Sequence, residues 1–158
     1  MKGFVLSEEG HVVQLIAPVD VTGGVTAQRF AMKEYQHASI LIQIGVSAAA
    51  PTAIVLKNCQ DANGTNATAI PFSIYKQETA GASHDVLGAR TAVTSAGYAP
   101  SANDGIFYVI ELDAAELSDG YEYVELDITN GVNSVIASAV AILSGARHAE
   151  VQSPTVTS

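Results

Sequence analysis

Histidine, cysteine, serine and carboxylate side chains are the ones able to carry metal, nucleophilic or acid–base chemistry, and here their spacing supports none of it. The four histidines, His11, His37, His84 and His148, stand far apart, with no helix to bring a carboxylate three or four residues away onto the same face. His84-Asp85 makes at most a weak ligand pair, and ordinary surface or strand-edge histidines are expected. Carboxylates crowd the last third of the chain: Asp104, Glu111, Asp113, Glu116, Asp119, Glu122, Glu125 and Asp127. Calcium takes about six to eight oxygen ligands, and residues 113–119 do not follow an EF-hand loop; alternating along strands, these acids would line a solvated face. Leu143-Ser144-Gly145 lacks the glycine pattern of a nucleophile elbow. Cys59 ends an apolar run and reads as a small buried hydrophobe. Gly23-Gly24 and Gly81 precede no helix that would cradle a phosphate. The triplets Asn63-Gly64-Thr65 and Asn66-Ala67-Thr68 fit a glycosylation acceptor but read as turn residues. The expectation is a protein that is not an enzyme, with no catalytic residues, cofactor or metal.

What remains suits contact. Phe107, Tyr108, Tyr121 and Tyr123 lie on apolar or amphipathic strands, and tyrosine is enriched in interfaces. Tyr121 and Tyr123, with Arg29, form the candidate interface set.

The elements that must position these residues have a dominant period of two, the signature of a pleated strand. In residues 39–46, Ile40, Ile42, Ile44 and Val46 share one face. In residues 121–130, Val124, Leu126 and Ile128 oppose Tyr121, Tyr123, Glu125, Asp127 and Thr129. Residues 105–113 place Ile106, Tyr108, Ile110 and Leu112 on one face, while Phe107 and Val109 make the other apolar too. Such a strand lies centrally or has its second face covered by a partner. Residues 134–143 alternate Val135, Ala137, Ala139, Ala141 and Leu143 against Ile136, Ser138, Val140 and Ile142, and the alanines permit close approach of another layer. Weaker candidates at 11–17, 28–32, 52–59, 67–76 and 90–94 bring the expectation to about eight or nine strands.

Asn63-Gly64 and Asn130-Gly131 are preferred hairpin dipeptides, and Gly23-Gly24, Asn103-Asp104-Gly105 and Asp119-Gly120 mark other reversals. At most one short helical turn is expected, at 113–117, with Glu116 in the capping-box position. The fold class is all-β: an antiparallel β-sandwich or jelly roll. Residues 78–85 read as a loop.

The whole-chain numbers agree. At 158 residues, 48% hydrophobic and 15% charged, the chain can bury a core as one domain over 1–158, with 1–24 as a possible N-terminal arm and 151–158 as a polar C-terminal tail. A formal net charge of -9 repels phosphate backbones, and Arg29, Lys33 and Arg90 make no basic run, so nucleic acid is not an expected partner. No apolar stretch reaches the ~18 residues of a membrane span, so no membrane association is expected.

Two segments carry a resemblance. Residues 29–45, Arg29-Phe30-Ala31-Met32-Lys33-Glu34-Tyr35-Gln36-His37-Ala38-Ser39-Ile40-Leu41-Ile42-Gln43-Ile44-Gly45, form a mixed lead-in to a β-branched strand. Residues 106–147 include Leu112-Asp113-Ala114-Ala115-Glu116-Leu117, Thr129-Asn130-Gly131 and Ala141-Ile142-Leu143-Ser144-Gly145-Ala146-Arg147. In texture and order of segments they resemble small virion structural proteins of tailed bacteriophages, over about two-thirds of the chain. The resemblance implies a β-rich particle component, made in the host cytoplasm and located in the virion. Its expected form is a capsid decoration or cement protein that stabilises the shell by contacts with capsid or other virion proteins, as a homo-oligomer, possibly a trimer. The alternatives are a head–tail neck component, a tail or fibre module binding another virion protein or a surface glycan, and an enzyme on a jelly roll. The absence of tryptophan weighs against a sugar platform, and the dissimilar histidine segments weigh against a jelly-roll enzyme.

Overall fold

Alternating β-branched side chains draw most of the chain into extended backbone. The computed structural model describes residues 3, 5–78, 85–102, 105–147 and 155–156. Among them, eleven strands form two antiparallel sheets: β1 His11–Asp20, β2 Val25–Thr26, β3 Phe30–Ala31, β4 Tyr35–Ser47, β5 Ala53–Cys59, β6 Thr68–Ala69, β7 Phe72–Glu78, β8 Thr91–Val93, β9 Ile106–Asp113, β10 Tyr123–Thr129 and β11 Val135–Ala146. The larger sheet runs β1-β11-β4-β9-β7-β8 and the smaller β2-β10-β5-β6, with β3 following β2 along the same edge of β10. This is the expected antiparallel β-sandwich.

The core lies between the sheets. Ile40, Ile42 and Ile44 of β4 and Ile106, Tyr108, Ile110 and Leu112 of β9 are buried with Ile54 and Leu56 of β5 and Val124, Leu126 and Ile128 of β10. Each fully buried aliphatic side chain contributes ~1.5–3 kcal/mol. Ala137, Ala139 and Ala141 are buried along β11, the small side chains that let the second layer close in. A further tie between the layers comes from residue 98: Tyr98 N donates to Ile54 O and Ile54 N to Tyr98 O, both at 2.8 Å.

Several expectations need correction. Asn130-Gly131 is not a hairpin turn, because β10 belongs to the smaller sheet and β11 to the larger. The dipeptide instead carries the chain between layers, with Asn130 Nδ2 donating to Val21 O and Asn133 O. Asn63-Gly64 does sit in the β5–β6 hairpin, with Gly64 at φ 81°. Val46 does not share the face of Ile44. Val135 pairs with Ser47 but Ala137 with Ile44, so β4 holds an extra residue there, and the bulge turns Val46 outward to 72% exposure. The run 67–76 divides into β6 and β7 around Pro71, which has no N–H for a ladder.

A helical turn at Leu6–Glu9 precedes β1, in addition to the 3-10 turn Ala114–Glu116, where Glu116 Oε2 accepts from Asp113 N at 2.8 Å. Residues 11–20 of the segment expected as an arm form edge strand β1, paired with β11. The reading of residues 78–85 as a loop, and the features placed on His84, Gly81, Asp104 and His148, fall wholly or largely outside the described residues.

Candidate functional site

The outer faces of the two sheets differ in kind. On the smaller sheet, Tyr123, Glu125, Asp127 and Thr129 of β10 point away from the core, and the register pairs Glu125 with Lys57 and Tyr123 with Cys59. The expectation of a solvated acidic face fails here, because Glu125 is 2% exposed and Asp127 8%. Lys57 Nζ bonds Glu125 Oε1 at 3.2 Å and also contacts Asp127 Oδ2. Arg29 Nη2 pairs with Glu125 Oε2, and Nη1 reaches Ala62 O at 3.5 Å in the β5–β6 loop. Gly64 packs so tightly on the Arg29 guanidinium that an added Cβ would lie 2.5 Å from Nη2. Hydrogen bonds to Asp127 and then to Glu125 hold Lys57 above the ordinary ammonium value despite its partial burial. Cys59 is wholly buried, and that burial pushes its thiol upward.

Arg29 is therefore committed to an internal ion network. Tyr123 is half-buried on the same face, while Tyr121 lines a separate hollow with Met32, Lys33, Leu117, Glu122 and Arg147. The three basic residues considered together do not assemble: Arg29 binds Glu125 and Lys33 faces Glu122, whereas Arg90 Nε donates to Ser73 Oγ on the larger sheet.

The larger sheet carries one apolar row across an outer face that on either side also bears Ser39, Gln43, Glu111 and Ser138. Register aligns Gln14, Val140, Leu41, Val109 and Tyr75 in one row across five strands. Val109 is only 8% exposed although it points outward, because its neighbours in the row flank it. Phe107 and Ile142 are half-buried in the adjoining rows, and Val12 is 52% exposed beside Ile142. The sequence signal for this face was the doubly apolar β9, which is indeed central, between β4 and β7.

At one end of that face, His37 sits between two carboxylates. Its Nδ1 lies 2.7 Å from Asp113 Oδ1 and its Nε2 2.7 Å from Glu111 Oε2. Ser39 Oγ donates to the same Glu111 oxygen at 2.7 Å and lies 3.4 Å from Nε2. Burial works against a charged ring, but the hydrogen bonds that it donates to Asp113 and Glu111, and their charges, outweigh it and hold His37 above the ordinary imidazole value. The order Asp113–His37–Ser39 has the outline of a nucleophile relay. Glu111, however, takes the serine hydroxyl, and the strands on both sides use the local backbone amides in their ladders, so the group is arranged to hold a proton on His37. Among the described residues, no three His, Cys, Asp or Glu side chains converge as a metal-binding group.

Among solved structures, the chain is similar to the SPBc2 prophage-derived protein YomS at 15% identity and a TM-score of 0.45, over 84% of this chain and 94% of that one. No protein family and no curated protein matches it.

Proposed function

We propose that this protein is a structural component of a bacteriophage particle, a capsid-decorating protein that docks the outer face of its larger sheet on neighbouring virion proteins. The observation that carries this reading is the row Val140, Leu41, Val109 and Tyr75, an apolar strip across the middle of the larger sheet in which Val140, Leu41 and Tyr75 are half-buried. Contiguous apolar surface of this kind marks interaction sites, whereas scattered exposed apolar residues do not. The resemblance of residues 29–45 and 106–147 to tailed-phage virion proteins supplies the setting. Apolar burial also gives contacts that survive salt.

The test is co-sedimentation with capsids lacking the protein, alongside a shell melting curve and the solution mass by light scattering. Stoichiometric binding, a raised shell melting temperature and retention in about 1 M salt, where the Debye length is ~3 Å, are expected. Leu41→Asp should abolish binding while the protein stays folded. Release of the native protein by salt, or equal binding by the variant, would refute docking through this face. Failure of the native protein to bind shells would favour the neck, tail or fibre reading.

A further inference from the structure

Asn63 and Asn130 both stand directly before a glycine, and the fold treats them differently. Asn130 follows β10, where the chain crosses from the smaller sheet to the larger. Its side-chain amide is fixed, with Nδ2 donating to Val21 O at 3.2 Å and to Asn133 O at 2.9 Å. Gly131 N donates to Asn130 Oδ1 at 2.9 Å, so this backbone nitrogen lies against the side-chain amide of the preceding residue and belongs to no strand ladder. Gly131 is exposed, and an added Cβ would meet nothing within 4 Å. At the other site the equivalent nitrogen is engaged elsewhere: Gly64 N donates to Asp61 O at 3.1 Å, and Gly64 is wedged against the Arg29 guanidinium. The Asp61 carboxylate, which accepts from Asn63 N at 2.9 Å and Thr65 N at 3.1 Å, adds negative charge beside an amide that would have to lose its proton.

We propose that Asn130 is a site of spontaneous deamidation and isomerisation, and that the fold directs this chemistry to Asn130 and away from Asn63. The proposal is independent of the capsid reading. Hydroxide removes the proton from Gly131 N, and that nitrogen attacks Asn130 Cγ. The new Cγ–N bond closes a succinimide ring as the Cγ–Nδ2 bond breaks and Nδ2 leaves as ammonia, taking a proton from water. Water then opens the ring at Cγ to give aspartate, or at the backbone carbonyl to give isoaspartate. Contact held between the reacting atoms promotes ring closure, and glycine keeps the path free of a side chain. Either product lacks the two hydrogen bonds that Nδ2 donates to Val21 O and Asn133 O, so the crossover between the sheets loses a tie.

The test follows the full chain at mildly alkaline pH, one sample folded and one in urea, by peptide mapping with mass spectrometry. In the folded sample Asn130 should gain one mass unit, as both aspartate and isoaspartate, roughly tenfold faster than Asn63, whereas in urea the two sites should convert at similar rates. No conversion of Asn130, conversion of Asn63 at an equal or higher rate in the folded sample, or the same ratio folded and unfolded overturns the proposal. Gly131→Ala, which the open space at that position accommodates, should keep the native melting temperature while slowing conversion of Asn130 about tenfold or more. Unchanged conversion in that variant overturns attack by the residue 131 nitrogen. The converted protein should melt below the native one, and an equal melting temperature overturns the loss of a tie at the crossover.

Discussion

Lys57→Met tests whether the ion network on the smaller sheet is held as its geometry implies. The substitution keeps the aliphatic stem and removes the ammonium that joins Glu125 to Asp127. Glu125 retains Arg29, whereas Asp127 loses its described ion-pair partner, and its Oδ1 already has no hydrogen bond among the described residues. Breaking a buried pair costs ~3–5 kcal/mol because the surviving charge is stranded. The side chain of Asp127 is 11% exposed, but that of Lys57 is 28%, so solvent screens part of the pair and the low end, about 3 kcal/mol, applies. With a urea dependence of ~2 kcal/mol per molar, the unfolding midpoint should fall by about 1.5 M.

Because the folded value of Lys57 is raised above 10.5, its contribution is fully present below that pH and lost only as pH rises through the folded value. An assay at pH 7 therefore reads all of it. Lys33→Met is the control: its pair with Glu122 spans 3.9 Å with side chains 64% and 48% exposed, and should be worth under about 0.5 kcal/mol. Equal midpoint shifts for the two variants would refute the reasoning. Adding Asp127→Leu to Lys57→Met should recover stability to within about 1 kcal/mol of native, since the stranded carboxylate is gone. No recovery would assign the loss to the packing of the lysine stem.

Three further outcomes follow from local geometry. His37 should titrate above 6.5 by NMR and move down in Glu111→Gln/Asp113→Asn; with a raised folded value, its stabilisation is present below pH 6.5 and lost as pH rises through that value, so the native protein's advantage over His37→Ala should be larger at pH 5.5 than at pH 8.5. Asp20, bonded by the Ser134 and Thr22 hydroxyls and by Val135 N, should titrate at about 2 and move upward in Ser134→Ala; its contribution is present above 3.8 and lost as pH falls through about 2. Gly97→Ala should cost ~1–3 kcal/mol in a melting experiment, because φ is 91° and the new Cβ would lie 2.8 Å from Ile54 O, whereas Gly131→Ala, with nothing within 4 Å, should change little.

The strands were legible where one face is apolar and long enough to repeat. β4, β9, β10 and β11 each contain at least three core-facing side chains at period two, and all four lie where alternation places them. β2, at Val25–Thr26, is too short to show any period and was missed; it exists because Thr26 and Val25 pair with Asp127 and Ile128 at the end of β10. The outward turn of Val46 was equally invisible, since a bulge depends on the register of two strands far apart in sequence. Asn130-Gly131 misled for a related reason: the dipeptide encodes a reversal, but which sheet receives the next strand is decided by core packing around β11.

The face proposed for docking was half legible. Phe107 and Val109 announced that β9 has two apolar faces, and that remains the strongest pointer in the chain to a covered surface. What the sequence could not show was the row itself, because Val140, Leu41, Val109 and Tyr75 become neighbours only through the pairing of β11, β4, β9 and β7. Tyr121, Tyr123 and Arg29 were selected by residue type, and type does not reveal prior commitments. Arg29 is taken by Glu125, whose pairing with Lys57 is again a matter of register. The two outer faces thus differ in what they would offer a partner. The smaller sheet buries its charges under the β5–β6 loop and leaves few exposed anchors. The larger sheet keeps an apolar strip with one histidine–carboxylate group at its end, so a partner that buries the strip must also accommodate Asp113, whose side chain remains 65% exposed. That requirement favours a partner surface carrying a donor opposite Asp113 over one that is purely apolar.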